Sequence, residues 1–578
     1  MMLPKLDKRY RITFLMLLFI LLLSITIRFP YLYYSHEAGA DSFFYHRMSN
    51  VLLTFHKATW FLHPLSLWGL YPYSDSPAAP FYVAEFSSLS GLSVENSIIF
   101  YDYIFVIIGI LGAFLLGLKV KRSLIFASFL AIAISLAPKA FYPILFSLNE
   151  RVALVLMLPL WFLLIYFVIS SHEKSKSIRV KRWSILIMYS FVASTVHLMF
   201  VFSIAFISGY IFYIVIYKLI GKFLPHTFSK VRNFRPIVII ILFLLLFYSL
   251  FFLSNYINIY GFNIELYKKT ALFSGTDPFT IALNIFVSIS GGVGILFPIF
   301  GVVGAVYLIF KRKLDTFEMW LIIALLSLTP FIINRLYIRP FLVSILGILI
   351  AYGAFYVVSK TPKIFKNNHI SKRRALKYSF ITIFIVSIVL GGAFAGYMTH
   401  HWDTQVESTA SKIPHGMTEQ SYNAAIWMKH SLNIEDIYVT NNEVVGGRVE
   451  AYSNRVMIPG IYDTDLDNLV FYNLYNNESE LGITFNKWLN RNPFTNSKKW
   501  REFASEYTKL MGVPYSHSTK LLKKYNVSYF LYFRKYGNMW SVWYDKKLSY
   551  SQFSKTATQK NYAIYKNEWY TLVYLEYK

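Results

Sequence analysis

Long apolar runs recur along the first two thirds of the chain, and they limit the possible folds more than any other feature. A helix needs about 20 mostly apolar residues to cross a bilayer. The eleven runs cover residues 11–29, 97–119, 122–137, 152–171, 183–199, 200–217, 236–256, 291–311, 316–334, 339–359 and 376–397. They predict a polytopic α-helical membrane protein with about 11–13 transmembrane helices. The stretch 183–217 is compatible with one long helix or with a tight hairpin.

Composition agrees with a membrane location and limits the available metal chemistry. The mean hydropathy is +0.44, and only 15% of the residues are charged, which excludes an ordinary soluble protein. The chain has no cysteine, so disulfides and thiolate metal sites are excluded. A metal ion would need oxygen or imidazole ligands from Asp, Glu, His, Asn or the backbone, and these ligands favour Mg²⁺ or Mn²⁺.

The formal net charge of +27 lies mostly in the apolar part of the chain. Residues 397–578 carry 21 basic and 17 acidic side chains, whereas residues 1–396 carry 36 and 13. Basic clusters occur at 119–122, 174–182, 218–235, 311–313 and 360–377. Eleven spans with a cytoplasmic N-terminus place every one of these clusters on the cytoplasmic side. We therefore expect a multi-pass cell-membrane protein whose partner is the lipid bilayer and not nucleic acid.

Two domains follow from these patterns. Residues 1–397 form the multispanning domain, with external loops at 30–96, 138–151 and 257–290. Its first apolar run has no small-residue cleavage site after it, so we interpret it as a retained helix and not as a signal peptide. Residues 398–578 have a nearly soluble composition and predict an extracytoplasmic mixed α/β domain. A helix is expected at 422–429 and strands at 437–440, 529–533 and 569–574.

Two carboxylates lie at external helix ends, where chemistry is plausible. Asp41 occurs in Gly39-Ala40-Asp41-Ser42-Phe43, and Glu150 stands where the helix after the second external loop begins. A carboxylate close to hydrocarbon is costly unless it is paired or binds a cation. A salt bridge from Glu150 to Arg151 or a helix-dipole contact explains it without a ligand. Facing one cavity, Asp41 and Glu150 would instead hold a divalent ion that neutralises a phosphate leaving group.

Basic and imidazole groups near the external edge are candidate substrate ligands. Arg335 and Arg339 form an external pair that suits an anionic lipid or pyrophosphate, although snorkelling to ordinary phospholipid is the simpler alternative. His46 and Arg47 either contact a substrate phosphate or only tie down their loop. His197 lies in an apolar run, where a packed helix contact is the alternative to a ligand role.

At these residues the chain resembles the catalytic subunits of oligosaccharyltransferases, particularly archaeal ones. The resemblance rests on Asp41 with the aromatics, His46 and Arg47 that follow it, and on Leu70-Tyr71-Pro72, Asn149-Glu150-Arg151, Arg339-Pro340-Phe341-Leu342 and Ala424-Ala425-Ile426-Trp427-Met428. It implies a GT-C-like fold. It also implies that Asp41 and Glu150 bind Mn²⁺ or Mg²⁺ and act in catalysis, and that Arg339 contacts a lipid pyrophosphate.

One departure from the family pattern concerns the acceptor. The family reads its acceptor sequon with Trp-Trp-Asp-x-Gly, whereas this chain has Asn442-Glu443-Val444-Val445-Gly446, in which only Gly446 matches. Three hypotheses therefore stay open. The enzyme moves a glycan from a polyprenyl-linked oligosaccharide to an acceptor protein or peptide, at asparagine. Alternatively, it is a related glycosyltransferase with a lipid or polymer acceptor. The third is a noncatalytic member, scaffold or transporter.

Overall fold

We analysed a computed structural model of the full 578-residue chain. The structure describes residues 8–27, 36–56, 78–136, 148, 150–170, 175–197, 200, 203–223, 297–311, 314–328, 335–364, 379, 416–433, 436–440, 443–458, 527–533, 553–559 and 562–567. The chain divides into two compact units. The first comprises residues 1–28, 103–142 and 150–400, and the second comprises residues 29–102, 143–149 and 401–578.

Helices make up the described part of the first unit. They are α1 (Lys8–Ile27), the larger part of α4 (Val94–Lys121), α5 (Leu124–Leu136), α6 (Glu150–Ile169), α7 (Lys176–Val196), α8 (Ser203–Phe223), α9 (Phe297–Phe310), α10 (Thr316–Leu328) and α11 (Arg335–Ile364). Because α7 and α8 are separate helices, the stretch 183–217 is not one long helix. His197 caps the C-terminal end of α7, and its backbone N–H bonds to Ala193 O.

Three of the described helices are long and apolar enough to cross a membrane, at Val94–Lys121, Val152–Ile169 and Phe341–Ser359. Shorter apolar helices occur at Arg11–Thr26, Leu124–Ser135, Phe206–Val215, Ile299–Phe310 and Thr316–Ser327. Val94–Lys121 contains the predicted run at 97–119 and extends beyond both of its ends, and the other helices fall within runs that the sequence marks as spans. The predicted span at 236–256 lies outside the described residues, and so does the one at 376–397 apart from residue 379.

Aromatic side chains and glycine contacts hold the helices of the first unit together. Trp161 on α6 and Trp320 on α10 are almost fully buried, and their ring centroids lie 6.3 Å apart. On the facing surfaces of α9 and α11, Gly304 and Gly353 allow the two backbones to touch. A Cβ at Gly304 would overlap Leu349 O, and one at Gly353 would overlap Phe300 O. Such small-residue contacts are typical of membrane helix pairs, in which packing drives association.

One buried carboxylate links three segments of this unit. Glu318 in the first turn of α10 is fully buried, and each of its oxygens lies 2.5 Å from a lysine Nζ, that of Lys121 at the end of α4 or that of Lys311 after α9. Asp315 and Glu318 also accept each other's backbone N–H, at 2.8 and 3.0 Å, which caps α10. The two lysines compensate the negative charge of the Glu318 carboxylate, which would otherwise be very costly to bury.

The second unit combines short helices with a sheet. Its helices are α2 (Ala40–Phe55), α3 (Ala79–Ser90), the first residues of α4, α12 (Glu419–Ser431) and α13 (Glu443–Ser453). Its strands are β1 (Ile437–Thr440), β2 (Val456–Ile458), β3 (Val527–Phe533), β4 (Phe553–Gln559) and β5 (Tyr562–Asn567). The sheet order is β2-β1-β3-β5-β4, with β2, β1 and β3 parallel and β5 antiparallel to both β3 and β4.

The core of the second unit joins distant parts of the sequence. Phe43 on α2 packs into one buried cluster with Tyr438 on β1, Val449 on α13 and Leu531 on β3. The predicted helix at 422–429 and strands at 437–440 and 529–533 coincide with α12, β1 and β3. The predicted strand at 569–574 lies outside the described residues, as do residues 459–526.

Candidate functional site

Asp41 is the second residue of α2, so its backbone lies at the start of the helix. Gly39 precedes the helix with φ +88°, a conformation that glycine adopts at little cost. The hydroxyl of Ser42 accepts a hydrogen bond of 2.7 Å from the backbone N–H of Leu148. Leu148 stands two positions before Glu150, the first residue of α6. The side chains of Asp41 and Glu150 lie outside the described residues. The backbone of Glu150 is at a helix start, as the sequence predicts, whereas Asp41 lies at the start of a helix within what the sequence marks as an external loop.

His46, one turn further along α2, forms a buried pair with Glu37. Its Nδ1 lies 2.5 Å from Glu37 Oε2, and the Glu37 side chain is fully buried. The other carboxylate oxygen, Oε1, is buried and has no hydrogen-bond partner among the described residues. Glu37 also receives a backbone hydrogen bond, because the N–H of Met417 donates to its carbonyl oxygen at 2.9 Å. Glu37 therefore joins the loop before α2 to α2 itself through His46, and to the residues that precede α12 through Met417.

A second carboxylate, Glu95, extends this cluster through a tyrosine. The Tyr452 hydroxyl donates to Glu95 Oε1 at 2.7 Å. The backbone N–H of Glu37 donates to the same carboxylate oxygen and to the hydroxyl oxygen of Tyr452. The Tyr452 ring packs on the imidazole of His46, with centroids 4.7 Å apart. Burial, together with the negative charges of Glu37 and Glu95, raises the pKa of Tyr452 well above 10. Tyr452 therefore stays protonated and continues to donate at physiological pH.

His36 connects the same cluster to α12. Its Nδ1 lies 3.4 Å from Glu95 Oε1, and its Nε2 lies 3.5 Å from Glu419 Oε1. The imidazole also stacks on Tyr422, with ring centroids 3.8 Å apart. Burial alone would lower the pKa of His36, but hydrogen bonds and charge from Glu95 and Glu419 outweigh burial and raise that pKa above 6.5. The protonated form is therefore favoured in the folded protein.

Arg47, the residue after His46, pairs with a carboxylate on α13. Its Nη1 lies 2.6 Å from Oε1 of Glu450, whose side chain is fully buried. Arg448, two residues earlier on α13, donates to Gly416 O at 2.7 Å and covers the ring of Phe43. Neutral side chains add further links between the helices. Asn50 donates to Ala451 O at 2.7 Å, and Asn454 donates to the Thr54 hydroxyl at 2.9 Å.

These contacts form what we call the α2–α13 network, in which α2 and the loop before it are joined to α13 and the start of α4. Its charged and polar members are Glu37, His46, Arg47, Glu95, Glu450 and Tyr452. Sequence reasoning identified His46 and Arg47 but missed their partners. Glu37 and Glu95 could have been found as acidic groups in the same external loop. Glu450 carried no local signal, because a partner about 400 residues away leaves no pattern near Arg47.

The other predicted site residues are distributed over both units. Arg335 and Arg339 occupy the first two turns of α11, and their side chains lie outside the described residues. His197 lies between α7 and α8 and is partly buried. Gly446 is buried in α13, and its carbonyl accepts a hydrogen bond of 2.9 Å from Tyr438 on β1. Gly446 thus belongs to the second unit, together with His46 and Arg47.

The described side chains do not themselves assemble a metal centre. Within them, no group of three or more His, Asp or Glu is arranged to hold a metal ion. In the buried pair of Glu37 with His46, the imidazole Nδ1 is engaged by the carboxylate. The pair Asp41 and Glu150 supplies the hard oxygen ligands that Mg²⁺ and Mn²⁺ prefer. A metal at that pair stays a prediction.

Comparisons with known proteins add information about the fold. No protein-family model and no curated protein sequence matches the chain. Among solved structures, it is similar to the archaeal oligosaccharyltransferase AglB from Archaeoglobus fulgidus, in complex with an inhibitory peptide and a dolichol-phosphate. That alignment has a TM-score of 0.54 at 13% identity and covers 97% of this chain and 74% of AglB.

ArnT from Cupriavidus metallidurans, bound to undecaprenyl phosphate, is similar to the same extent. The TM-score is 0.52 at 13% identity, and the alignment covers 96% of this chain and 98% of ArnT. The chain has the GT-C fold. The predicted class of membrane protein is thereby confirmed at the level of the fold.

Proposed function

We propose that the chain is a membrane glycosyltransferase that moves a glycan from a polyprenyl (pyro)phosphate to asparagine of an acceptor protein. The observation that carries the proposal is the GT-C fold, shared over 97% of the chain with an oligosaccharyltransferase that holds a peptide and a dolichol-phosphate. ArnT holds undecaprenyl phosphate, so both structures contain a polyprenyl phosphate. In this proposal the reaction occurs on the external face, where the residue pattern places Asp41 and Glu150.

Asp41 and Glu150 are the proposed catalytic and metal-binding residues. Both stand at helix starts. Their carboxylates would hold Mn²⁺ or Mg²⁺, which when bound neutralises negative charge on the carrier phosphate. The helix starts themselves also favour negatively charged groups, because unpaired backbone N–H groups are directed towards them.

Arg335 and Arg339 are the proposed ligands of the carrier phosphate. They lie four positions apart on α11, so they share one face of the helix. Guanidinium groups bind phosphate oxygens through paired hydrogen bonds. When the acceptor nitrogen displaces the carrier at the anomeric carbon of the sugar, these groups would stabilise the charge on the departing phosphate.

For His46 and Arg47 we propose a structural role, which is one of the two alternatives that the sequence left open. In this role their side chains hold the loop and α2 in place. Both side chains contact buried carboxylates, Glu37 and Glu450, and a buried ion pair is costly to break. They therefore fix α2, and Asp41 with it. Gly446 and His197 are retained as proposed substrate-side positions, Gly446 because it matches the glycine of the family's acceptor-reading pattern.

A specific observation favours a second candidate, a transferase with a lipid or polymer acceptor. The segment Asn442-Glu443-Val444-Val445-Gly446 lacks the tryptophans and the aspartate of the acceptor-reading pattern. Donor chemistry and the roles of Asp41 and Arg339 would be the same, and only the acceptor would differ.

The test is a transfer assay with the purified protein, lipid-linked oligosaccharide from its own host and a fluorescent Asn-x-Thr peptide. It is run with Mn²⁺ and with a chelator. Asp41→Ala is compared with wild type and with Glu85→Ala, which removes an exposed carboxylate on α3. Peptide glycosylation that needs the metal and is lost only in Asp41→Ala supports the first proposal.

The other outcomes separate the alternatives. Metal-dependent consumption of the donor without peptide modification would replace the asparagine acceptor with a lipid or polymer. If the donor is left intact in a reaction where a known oligosaccharyltransferase consumes it, the chain is a noncatalytic member of the fold.

A further inference from the structure

The N-terminal part of α7 is a strongly basic helix that is exposed on several sides. Lys176, Arg179 and Lys181 are exposed and Arg182 is partly exposed. No acidic residue occurs anywhere in α7. Four cations within two turns repel one another unless negative charge is brought to them. The helix itself therefore supplies no negative charge that would neutralise these four cations.

A cation from α4 and a cation from α7 lie near the same aromatic ring on α6. Lys119 near the end of α4 and Arg182 on α7 both approach the ring of Phe167 on α6, with Lys119 Nζ 5.6 Å and Arg182 Cζ 6.0 Å from its centroid. Arg182 Nη1 donates to Phe167 O at 3.3 Å, and the Tyr166 hydroxyl donates to Lys119 O at 3.1 Å. Two cations from different helices are thus held on one aromatic ring, as cation–π attraction favours.

We call these cations the basic surface, which comprises Lys119, Arg122, Lys176, Arg179, Lys181 and Arg182. Among the described residues, none of them forms an ion pair with a carboxylate. Lys121 differs from them, although it lies between Lys119 and Arg122, because it is paired with the buried Glu318. The fold therefore neutralises one lysine at this end of α4 and leaves its neighbours exposed to solvent.

The residues that follow the basic surface on α7 show where it lies in the bilayer. Beyond Arg182 the helix exposes large apolar side chains on several sides, namely Trp183, Ile185, Ile187, Met188 and Phe191, each at 48–68%. Such exposure suits hydrocarbon and not water. Tryptophan at the change from basic to apolar residues is typical of the membrane interface. The basic surface therefore lies at the level of the lipid headgroups.

We propose that the basic surface binds the phosphate groups of anionic phospholipids, with Lys119 and Arg182 holding one phosphate between them. Clustered Lys and Arg beside a membrane helix attract anionic headgroups, and guanidinium adds paired hydrogen bonds to phosphate oxygens. Basic residues that only set membrane orientation need no defined geometry. Here two helices fix their cations on Phe167, and that convergence favours a bound headgroup. The inference is independent of the proposed function.

The experiment uses the full chain, purified in an equal mixture of phosphatidylglycerol and phosphatidylcholine, with retained lipids counted by native mass spectrometry. We expect wild type to retain phosphatidylglycerol preferentially. The double variant Lys119→Gln/Arg182→Gln should lose about fivefold or more of that preference. The charge-conserving variant Lys119→Arg/Arg182→Lys is the matched control and should keep most of it. Lys429→Gln, an exposed lysine on α12, should change nothing.

Ionic strength and free phosphate give a second readout. Raising salt from roughly 0.1 M to roughly 0.5 M should reduce the preference, because exposed charges are screened. Equal retention of the two lipids by wild type would overturn the proposal, as would an unchanged preference in Lys119→Gln/Arg182→Gln. Displacement of phosphatidylglycerol by about 10 mM inorganic phosphate would also overturn it, since the surface would then recognise free phosphate and not a membrane headgroup.

Discussion

The two units bury carboxylates in different ways. In the first unit, fully buried Glu318 is held by the side-chain amines of two lysines. In the second unit, fully buried Glu37 is held by a histidine, and Glu95 is contacted by another, His36, whose pKa is raised by hydrogen bonds and charge from Glu95 and Glu419. The comparison teaches that lysines hold the buried carboxylate of the first unit, whereas histidines hold those around α2. Arg47 with Glu450 is the pair within that second unit that involves no histidine.

The largest effect is expected at Glu318. Glu318→Leu should destabilise the protein by about 3–5 kcal/mol, because it leaves two partly buried lysines without a partner and removes a cap from α10. Denaturant titration of the purified protein in detergent, followed by tryptophan fluorescence, measures the change. Glu85→Leu, at an exposed position on α3, is the control. Equal stability of the two variants would show that the lysines find other partners or reach water.

Arg47 should have the next largest effect. Arg47→Met removes the ion pair of the fully buried Glu450 and should cost about 3 kcal/mol by the same titration. Replacing both residues, in Arg47→Met/Glu450→Met, should recover much of that loss, because no charge is then left buried without a partner. If the double variant is as unstable as the sum of the single ones, the two side chains act independently and the ion pair does not link α2 to α13.

A smaller effect is expected from a neutral link between the same helices. Asn50→Ala removes the hydrogen bond to Ala451 O and should cost about 1 kcal/mol. In the transfer assay this variant should retain most of its activity, since the ion pair still holds α2. A loss of activity as large as that of Asp41→Ala would give Asn50 a role beyond the link to α13.

The smallest effect is expected in the pH dependence of stability. This dependence tests the difference between the carboxylate held by lysines and those contacted by histidines. The pKa of His36 is raised above 6.5 in the folded protein, so its contribution is fully present below about pH 6.5 and is lost as pH rises through the raised value. His36→Gln should therefore lower the apparent melting temperature at about pH 6 and have less effect at about pH 9. The loss in Glu318→Leu should stay the same over that range. A His36→Gln loss that does not change with pH would contradict the titration.

Much of the fold could be predicted, because the bilayer imposes a simple rule. The runs at 97–119, 152–171 and 339–359 coincide with the helices at Val94–Lys121, Val152–Ile169 and Phe341–Ser359, and they are visible from length and apolarity alone. Local elements such as β1 were also predictable from β-branched and aromatic residues. The break between α7 and α8 was one of two alternatives, because apolar residues continue through it and only the count of eleven spans requires it.

The candidate site was predictable only in part. Asp41, His46 and Arg47 attract attention because polar groups are unusual beside a membrane helix. Their surroundings depend on Glu450 and Tyr452, which no spacing connects to α2. Tertiary pairing across such a separation leaves no local pattern in a single sequence. The α2–α13 network could therefore be identified only from the three-dimensional structure.

The separation between α2 and α13 also has a consequence for biosynthesis. Asn50 and Ala451 are 401 positions apart, so α2 is made long before the helix that completes its surroundings. At roughly 5–20 residues per second, synthesis of the intervening segment takes about 20–80 s. During that interval Arg47 has been made but its partner has not. The region around Asp41 therefore matures late, after the spans between the two helices have been synthesised, and a chain truncated before α13 would carry the residues of α2 without their final arrangement.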